Sequence, residues 1–182
     1  MKRYRHYDKD KAIILSCFGS VIEQNKYLLI KKLVEKTFPN CDIFLSFSSR
    51  MVLKDLHKRD MPFKNLPQIL ADVDMLGYKN IIVSSINLFP TDEHQVVKKI
   101  VDGFKQFSLS NIRVTNAILT KTKETSLFLM DLNKQISIKD RANFYVIHGC
   151  PTLEVNGLDS ISYTAQFLEA IEQISQQKGI EP

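Results

Sequence analysis

Along this chain, short unbroken apolar runs alternate with longer stretches in which apolar residues recur every three or four positions among lysines and acids. The first kind fits a strand covered on both faces, and the second fits an amphipathic helix. Ala12–Phe18 is the first apolar run and ends at Gly19. Ile22–Phe38 follows as a helix carrying Ile22, Leu29, Leu33 and Phe38 on its apolar side, closed by Pro39 and Asn40. Cys41–Phe47 reads as the second strand, and Arg50–Lys58 as a helix with Met51, Leu53 and Leu56 inward. Leu66–Leu76 is a third helix, with Pro67 in its first turn and Gly77 at its C-terminus. Asn80–Leu88 is the third strand, Thr91 caps a helix from Asp92 to about Phe107, and Ile112–Leu119 is the fourth strand. Thr125–Lys134 is helical, Phe144–Ile147 is a fifth short strand, and Asp159–Gln176 is a closing helix.

Alternation of this kind predicts an α/β fold: a doubly wound parallel sheet with right-handed crossovers, in strand order 2-1-3-4. The segments divide into a tail over residues 1–11, a main lobe over 12–119, and a linker with a further segment over 120–182. Ligands of such sheets bind beyond the carboxyl ends of the strands. That rule selects the loops at Gly19–Ser20, Ser48–Arg50, Phe89–His94 and His148–Thr152.

Composition changes this picture little. Hydrophobic residues make up 44% of the 182, enough for a packed core. Part of the +5 net charge sits in Lys2, Arg3, Arg5, Lys9 and Lys11, which read as a solvated basic tail rather than a nucleic-acid arm. The three cysteines, Cys17, Cys41 and Cys150, have neither disulfide-framework nor zinc-finger spacing, which points to a reducing, cytoplasmic setting. Cys17 and Cys41 lie in apolar surroundings and read as core. No apolar run is long enough for a membrane span.

Chemistry concentrates at two places. His148 directly follows the apolar run Phe144–Ile147, where an imidazole can ligate a metal or accept a proton near neutral pH. Gly149 beside it allows close approach of a ligand to the backbone. Asp92, Glu93 and His94 form the second cluster, able to bind a divalent cation or relay protons. Acidic residues also belong in a helix's first turn on electrostatic grounds alone. GxGxxG, GxxxxGK[ST] and GxSxG patterns are missing, which argues against dinucleotide, P-loop and α/β-hydrolase chemistry. His57 lies among lysines and arginines and reads as solvated, and His6 belongs to the tail.

The order of motifs resembles the anaerobic-type sirohydrochlorin cobaltochelatases of the class II chelatase superfamily. Cys17-Phe18-Gly19-Ser20 is similar to that family's first strand end. The segment from Phe47 through Met51 and Leu56 to Arg59-Asp60 is similar to the stretch after its second strand. Pro67 to Gly77-Tyr78, the Asp92-Glu93 loop, and Phe144-Tyr145-Val146-Ile147-His148-Gly149 follow in the family's order. The resemblance covers roughly Ala12 to Leu168.

It implies a lyase that inserts a divalent metal into sirohydrochlorin or a related tetrapyrrole. Cobalt is the expected ion, with iron and nickel as alternatives. His148 and Glu93 are implied as metal ligands and catalytic residues, with Phe18, Gly19, Ser20, Asn87 and His94 toward the substrate. The family differs in having histidine where Asn87 stands, glycine where Thr91 stands, and an aromatic where His94 stands. It also has a second lobe carrying a further histidine and carboxylate, whereas here no histidine follows His148. A homodimer covering the apolar segments Leu127–Met130, Phe144–Ile147 and Ile161–Leu168 is therefore expected. The alternative to an enzyme is a non-catalytic, chelatase-like protein that binds metal or tetrapyrrole. Neither nucleic acid nor membrane is an expected partner.

Overall fold

A computed structural model describes residues 6–136 and Ile138. These residues fall into two compact units. One contains the chain up to Asn87 together with Glu93–Asn116, and the other contains Leu88–Asp92 and the chain from Ala117 onward.

The first unit holds the sheet. Strands β1 (Lys9–Cys17), β2 (Asp42–Phe47), β3 (Tyr78–Ser85) and β4 (Asn111–Val114) pair in the order β2-β1-β3-β4. Every pairing is parallel, as the sequence predicts. Helices α1 (Gln24–Thr37), α2 (Arg50–Lys58), α3 (Leu66–Met75) and α4 (Asp92–Phe104) provide the crossovers. Successive side chains of a strand point to opposite faces, and the core divides accordingly. Ala12 and Ile14 of β1 join Ile81 and Val83 of β3, Leu66, Leu70 and Val73 of α3, and Val97 and Val101 of α4. Ile13, Leu15 and Cys17 join Ile43 and Phe47 of β2, Leu53 and Leu56 of α2, and Tyr27, Ile30 and Val34 of α1. Strand β1 is thus buried on both faces, which is why its sequence is apolar without alternation.

Several expectations shift. Strand β1 begins three residues before Ala12, because Lys9 and Lys11 pair with Tyr78 and Asn80. Strand β3 runs from Tyr78 to Ser85 rather than to Leu88, with Ile86 N still bonded to Ser16 O of β1. Strand β4 ends at Val114, since beyond it only Thr115 still reaches the ladder, donating its N–H to Val83 O at 2.9 Å. Helix α4 stops at Phe104, where the chain turns and Ser108 N bonds back to Phe104 O. Met51 is 80% exposed, so α2 packs through Leu53 and Leu56, with Val52 partly buried beside them.

The apolar face of α1 is the largest correction. Ile22, Leu29, Leu33 and Phe38, the positions expected inward, are 85%, 63%, 64% and 50% exposed. The inward side is Tyr27, Ile30 and Val34, and the Tyr27 ring meets Phe47 edge-on at 5.1 Å. Two apolar stripes occupy one short helix, and the sheet accepts the one bearing Tyr27.

Helix α3 is closed at its N-terminus by a capping box, in which Asn65 Oδ1 accepts from Gln68 N and Gln68 Oε1 accepts from Asn65 N. At the other end Gly77 takes φ +79°, the left-handed terminator the sequence suggests. In the second unit, α5 (Thr122–Ile136) covers and extends the expected helix at Thr125–Lys134. The predicted strand at Phe144–Ile147 and helix at Asp159–Gln176 lie outside the described residues.

Candidate functional site at the carboxyl edge of the sheet

Three strand ends are drawn together by backbone bonds between neighbouring loops. Ser48 N donates to Cys17 O at 2.8 Å, Ser49 N to Phe18 O at 3.1 Å, and Ile86 N to Ser16 O at 2.8 Å. The residues following β1, β2 and β3 therefore form one continuous rim, the place where open parallel sheets hold ligands.

After β1, Gly19 sits at φ +97° against the ring of Phe47, and a Cβ there would lie 2.8 Å from Phe47 Cγ. Phe47 is itself stacked on Phe63 with centroids 4.5 Å apart, so the surface beneath Gly19 is fixed. Phe18 beside it is 50% exposed, an aromatic face on the rim. Ser20 Oγ accepts from Ile22 N at 3.2 Å and Glu23 N at 3.0 Å, shaping the entry into α1. After β2, Ser49 caps α2 by accepting from Val52 N.

After β3, the structure joins two sequence-predicted residues through a third that sequence reasoning missed. Ser85, the last residue of β3, has its hydroxyl 2.9 Å from His94 Nδ1 and accepts from Asn87 Nδ2 at 2.9 Å. Its backbone N–H donates to Thr115 Oγ1 at 3.1 Å. Ser85 is buried and His94 is wholly so. Burial, with the positive charge of Lys98 one turn further along α4, holds the His94 imidazole below its usual pKa and so neutral. His94 Nε2 meets no hydrogen-bond partner among the described residues. A period-two signal could have placed Ser85 inward, but nothing in its type distinguishes it from Ser16 and Ser46, which are equally buried.

Glu93 is half-buried in the first turn of α4, the residue before His94. His148 lies outside the described residues, so its position relative to Glu93 is not part of this geometry. His57 is exposed and bonded through Nε2 to Phe63 O at 2.8 Å, as its charged surroundings suggest. Cys17 is buried in the core and its thiol is pushed up to about 12 by desolvation, which makes it a poor nucleophile. No three His, Cys, Asp or Glu side chains converge as a metal cage among the described residues.

The site therefore has a fixed glycine turn, an exposed aromatic, and a buried neutral imidazole on one edge of the sheet. Residues 11–173 match the family described as cobalt chelatase (CbiK). This chain belongs to the cobalt chelatase family. No curated protein matches the sequence. Family membership makes a divalent metal the substrate ion and a tetrapyrrole its acceptor. Among the described residues, no helix is long and apolar enough to cross a membrane.

Proposed function

We propose that this protein inserts cobalt into sirohydrochlorin or a closely related tetrapyrrole, in the cytoplasm, with His148 and Glu93 at the metal. The observation that carries the reading is the family match over residues 11–173, which spans both of these residues. Insertion releases two pyrrole protons as the metal enters, so the site needs a proton acceptor and a donor that yields the ion. His148 serves as ligand and base, and Glu93 supplies the carboxylate at the rim. Phe18, Gly19 and Ser20 border the macrocycle, with the Phe18 ring available to a tetrapyrrole face. Asn87 and His94 act from the β3 side.

The working form is a homodimer. Support comes from α5, on which Leu127 is 56% exposed and Phe128, Met130 and Ile136 are also exposed. A second reading, binding without catalysis, is favoured by Asn87. That residue stands where the family has histidine and is occupied with Ser85.

Incubation with sirohydrochlorin and Co²⁺, followed by absorbance, tests the proposal. Insertion faster than in buffer is expected, falling at least about tenfold in Glu93→Gln and in His148→Ala. Insertion no faster than in buffer would rule out the enzyme and leave the binding reading.

A further inference from the structure

Tyr27, in the first turn of α1, reaches both the packed core and the rim. Its ring meets Phe47 edge-on at 5.1 Å, and Phe47 is also stacked on Phe63 at 4.5 Å. Its hydroxyl faces the backbone N–H of Gly19. Burial raises the pKa of this phenol, so at neutral pH the oxygen keeps its proton and offers a lone pair to the N–H. Gly19 is buried, and a buried N–H needs an acceptor. The contact with Phe47 would be served by a phenylalanine ring. The hydroxyl is what ties the helix to the turn.

The turn held in this way is the one that presents Phe18. Gly19 stands at φ +97° against the Phe47 ring, with no room for a side chain. Phe18 O accepts from Ser49 N at 3.1 Å, and Ser20 Oγ accepts from Ile22 N and Glu23 N. The backbone on both sides of Phe18 is thus fixed, while Phe18 itself is 50% exposed. A flat macrocycle offers such a ring a face of matching chemistry. A ring already held in place also loses little freedom when that face arrives.

We propose that Tyr27 is a positioning residue for the tetrapyrrole: through Phe47 and the Gly19 N–H it holds the turn that sets the Phe18 ring against the macrocycle. The inference rests on the chelatase reading and adds to it a residue that acts through Phe18 rather than on the metal. When the turn loosens, only the molecules with Phe18 in place bind well, and the apparent affinity falls with that fraction. The effect therefore belongs to tetrapyrrole binding and not to turnover of the loaded enzyme.

The test uses the full chain and sirohydrochlorin, first without metal. Titration followed by absorbance is expected to give a Kd raised roughly threefold to tenfold in Tyr27→Phe, the range that one lost hydrogen bond allows. Tyr27→Leu, which also removes the edge-on ring, should raise it further. With Co²⁺ added, the KM for sirohydrochlorin should rise in the same order, while kcat and the KM for Co²⁺ keep their wild-type values. A merely structural role would instead lower the folded fraction and so kcat, leaving KM unchanged. Hydrogen exchange should be at least about tenfold faster at the Gly19 amide in Tyr27→Phe than in wild type. Thermal melts identify a variant that fails to fold, and Tyr27→Phe, which keeps the ring, serves if Tyr27→Leu does. A wild-type Kd in the folded variants, or a loss confined to kcat, overturns the inference. If the variants bind sirohydrochlorin normally and wild type inserts cobalt, the inference fails and the chelatase reading stands. If binding weakens in the variants but wild type inserts none, the inference stands and the enzyme reading fails. A wild type that binds no sirohydrochlorin overturns both.

Discussion

Gly19 is the residue whose chemistry is most tightly dictated by its place. Its φ of +97° excludes most side chains, and the Phe47 ring fills the space where a Cβ would go. Phe47 cannot yield easily, being held between Phe63 and Tyr27. Gly19→Ala is expected to cost about 1–3 kcal/mol in urea unfolding and to weaken tetrapyrrole binding by displacing Phe18. A stability within error of wild type would show that the turn tolerates a side chain. At this scale the sequence was informative where residue type has a backbone consequence, as at Gly77 and Pro67. It was silent where a common residue gains meaning from its neighbours. Ser85 is one serine among many until the fold places Asn87 and His94 beside it. His94 itself was visible as a candidate, but its burial and its unmet nitrogen were not.

Helices were legible in extent but not always in orientation. Arg50–Lys58 is the helix the periodicity predicts, residue for residue, yet Met51 faces solvent. In α1 the apolar residues form two stripes, and periodicity alone ranks them equally. Tertiary packing chose Tyr27, Ile30 and Val34, because these reach Phe47 and the β2 side of the sheet. Leu33→Glu should therefore change stability by no more than about 0.5 kcal/mol. Val34→Asp, one position on, buries a charge against apolar neighbours and should cost about 2 kcal/mol or more. Denaturant melts of the two variants check this, and a larger loss for Leu33→Glu would mean that the outer stripe is covered in solution. Strand ends were less legible than helices. The apolar character of residues 112–119 continues past β4, since Ala117 and Leu119 are buried although they belong to no strand.

For the whole molecule, burial sets an alkaline limit on stability. Desolvation pushes the Cys17 thiol from 9.0 up to about 12. Desolvation and the hydrogen bond to Asp42 push the Tyr78 hydroxyl from 10.0 up to about 12. In the unfolded chain both groups lose their protons at the ordinary values, while the folded chain retains them. The folded state then binds more protons, so stability falls as pH rises above 9 for Cys17 and above 10 for Tyr78. Each group contributes a slope of up to about 1.4 kcal/mol per pH unit in its window. Urea midpoints measured from pH 8 to pH 11 should decline, and Cys17→Ala should remove the part that begins near pH 9. A flat profile for the wild type would contradict the burial of both groups. The parallel sheet, by contrast, was legible from the outset, because apolar runs without alternation, separated by amphipathic helices, fit strands covered on both faces.

The central place of β1 also has a consequence in time. Ala12 pairs with Asp42, and Lys9 pairs with Tyr78, so β1 waits for partners 30 and 69 residues downstream. On a ribosome adding about 5–20 residues per second, the more distant partner emerges roughly 3–14 s after β1 does. Throughout that interval the most apolar strand of the sheet has an open edge. Holding chaperones are therefore expected to raise the folded yield of a growing chain of this design, and heat or overexpression should lose it to aggregates during synthesis rather than after folding.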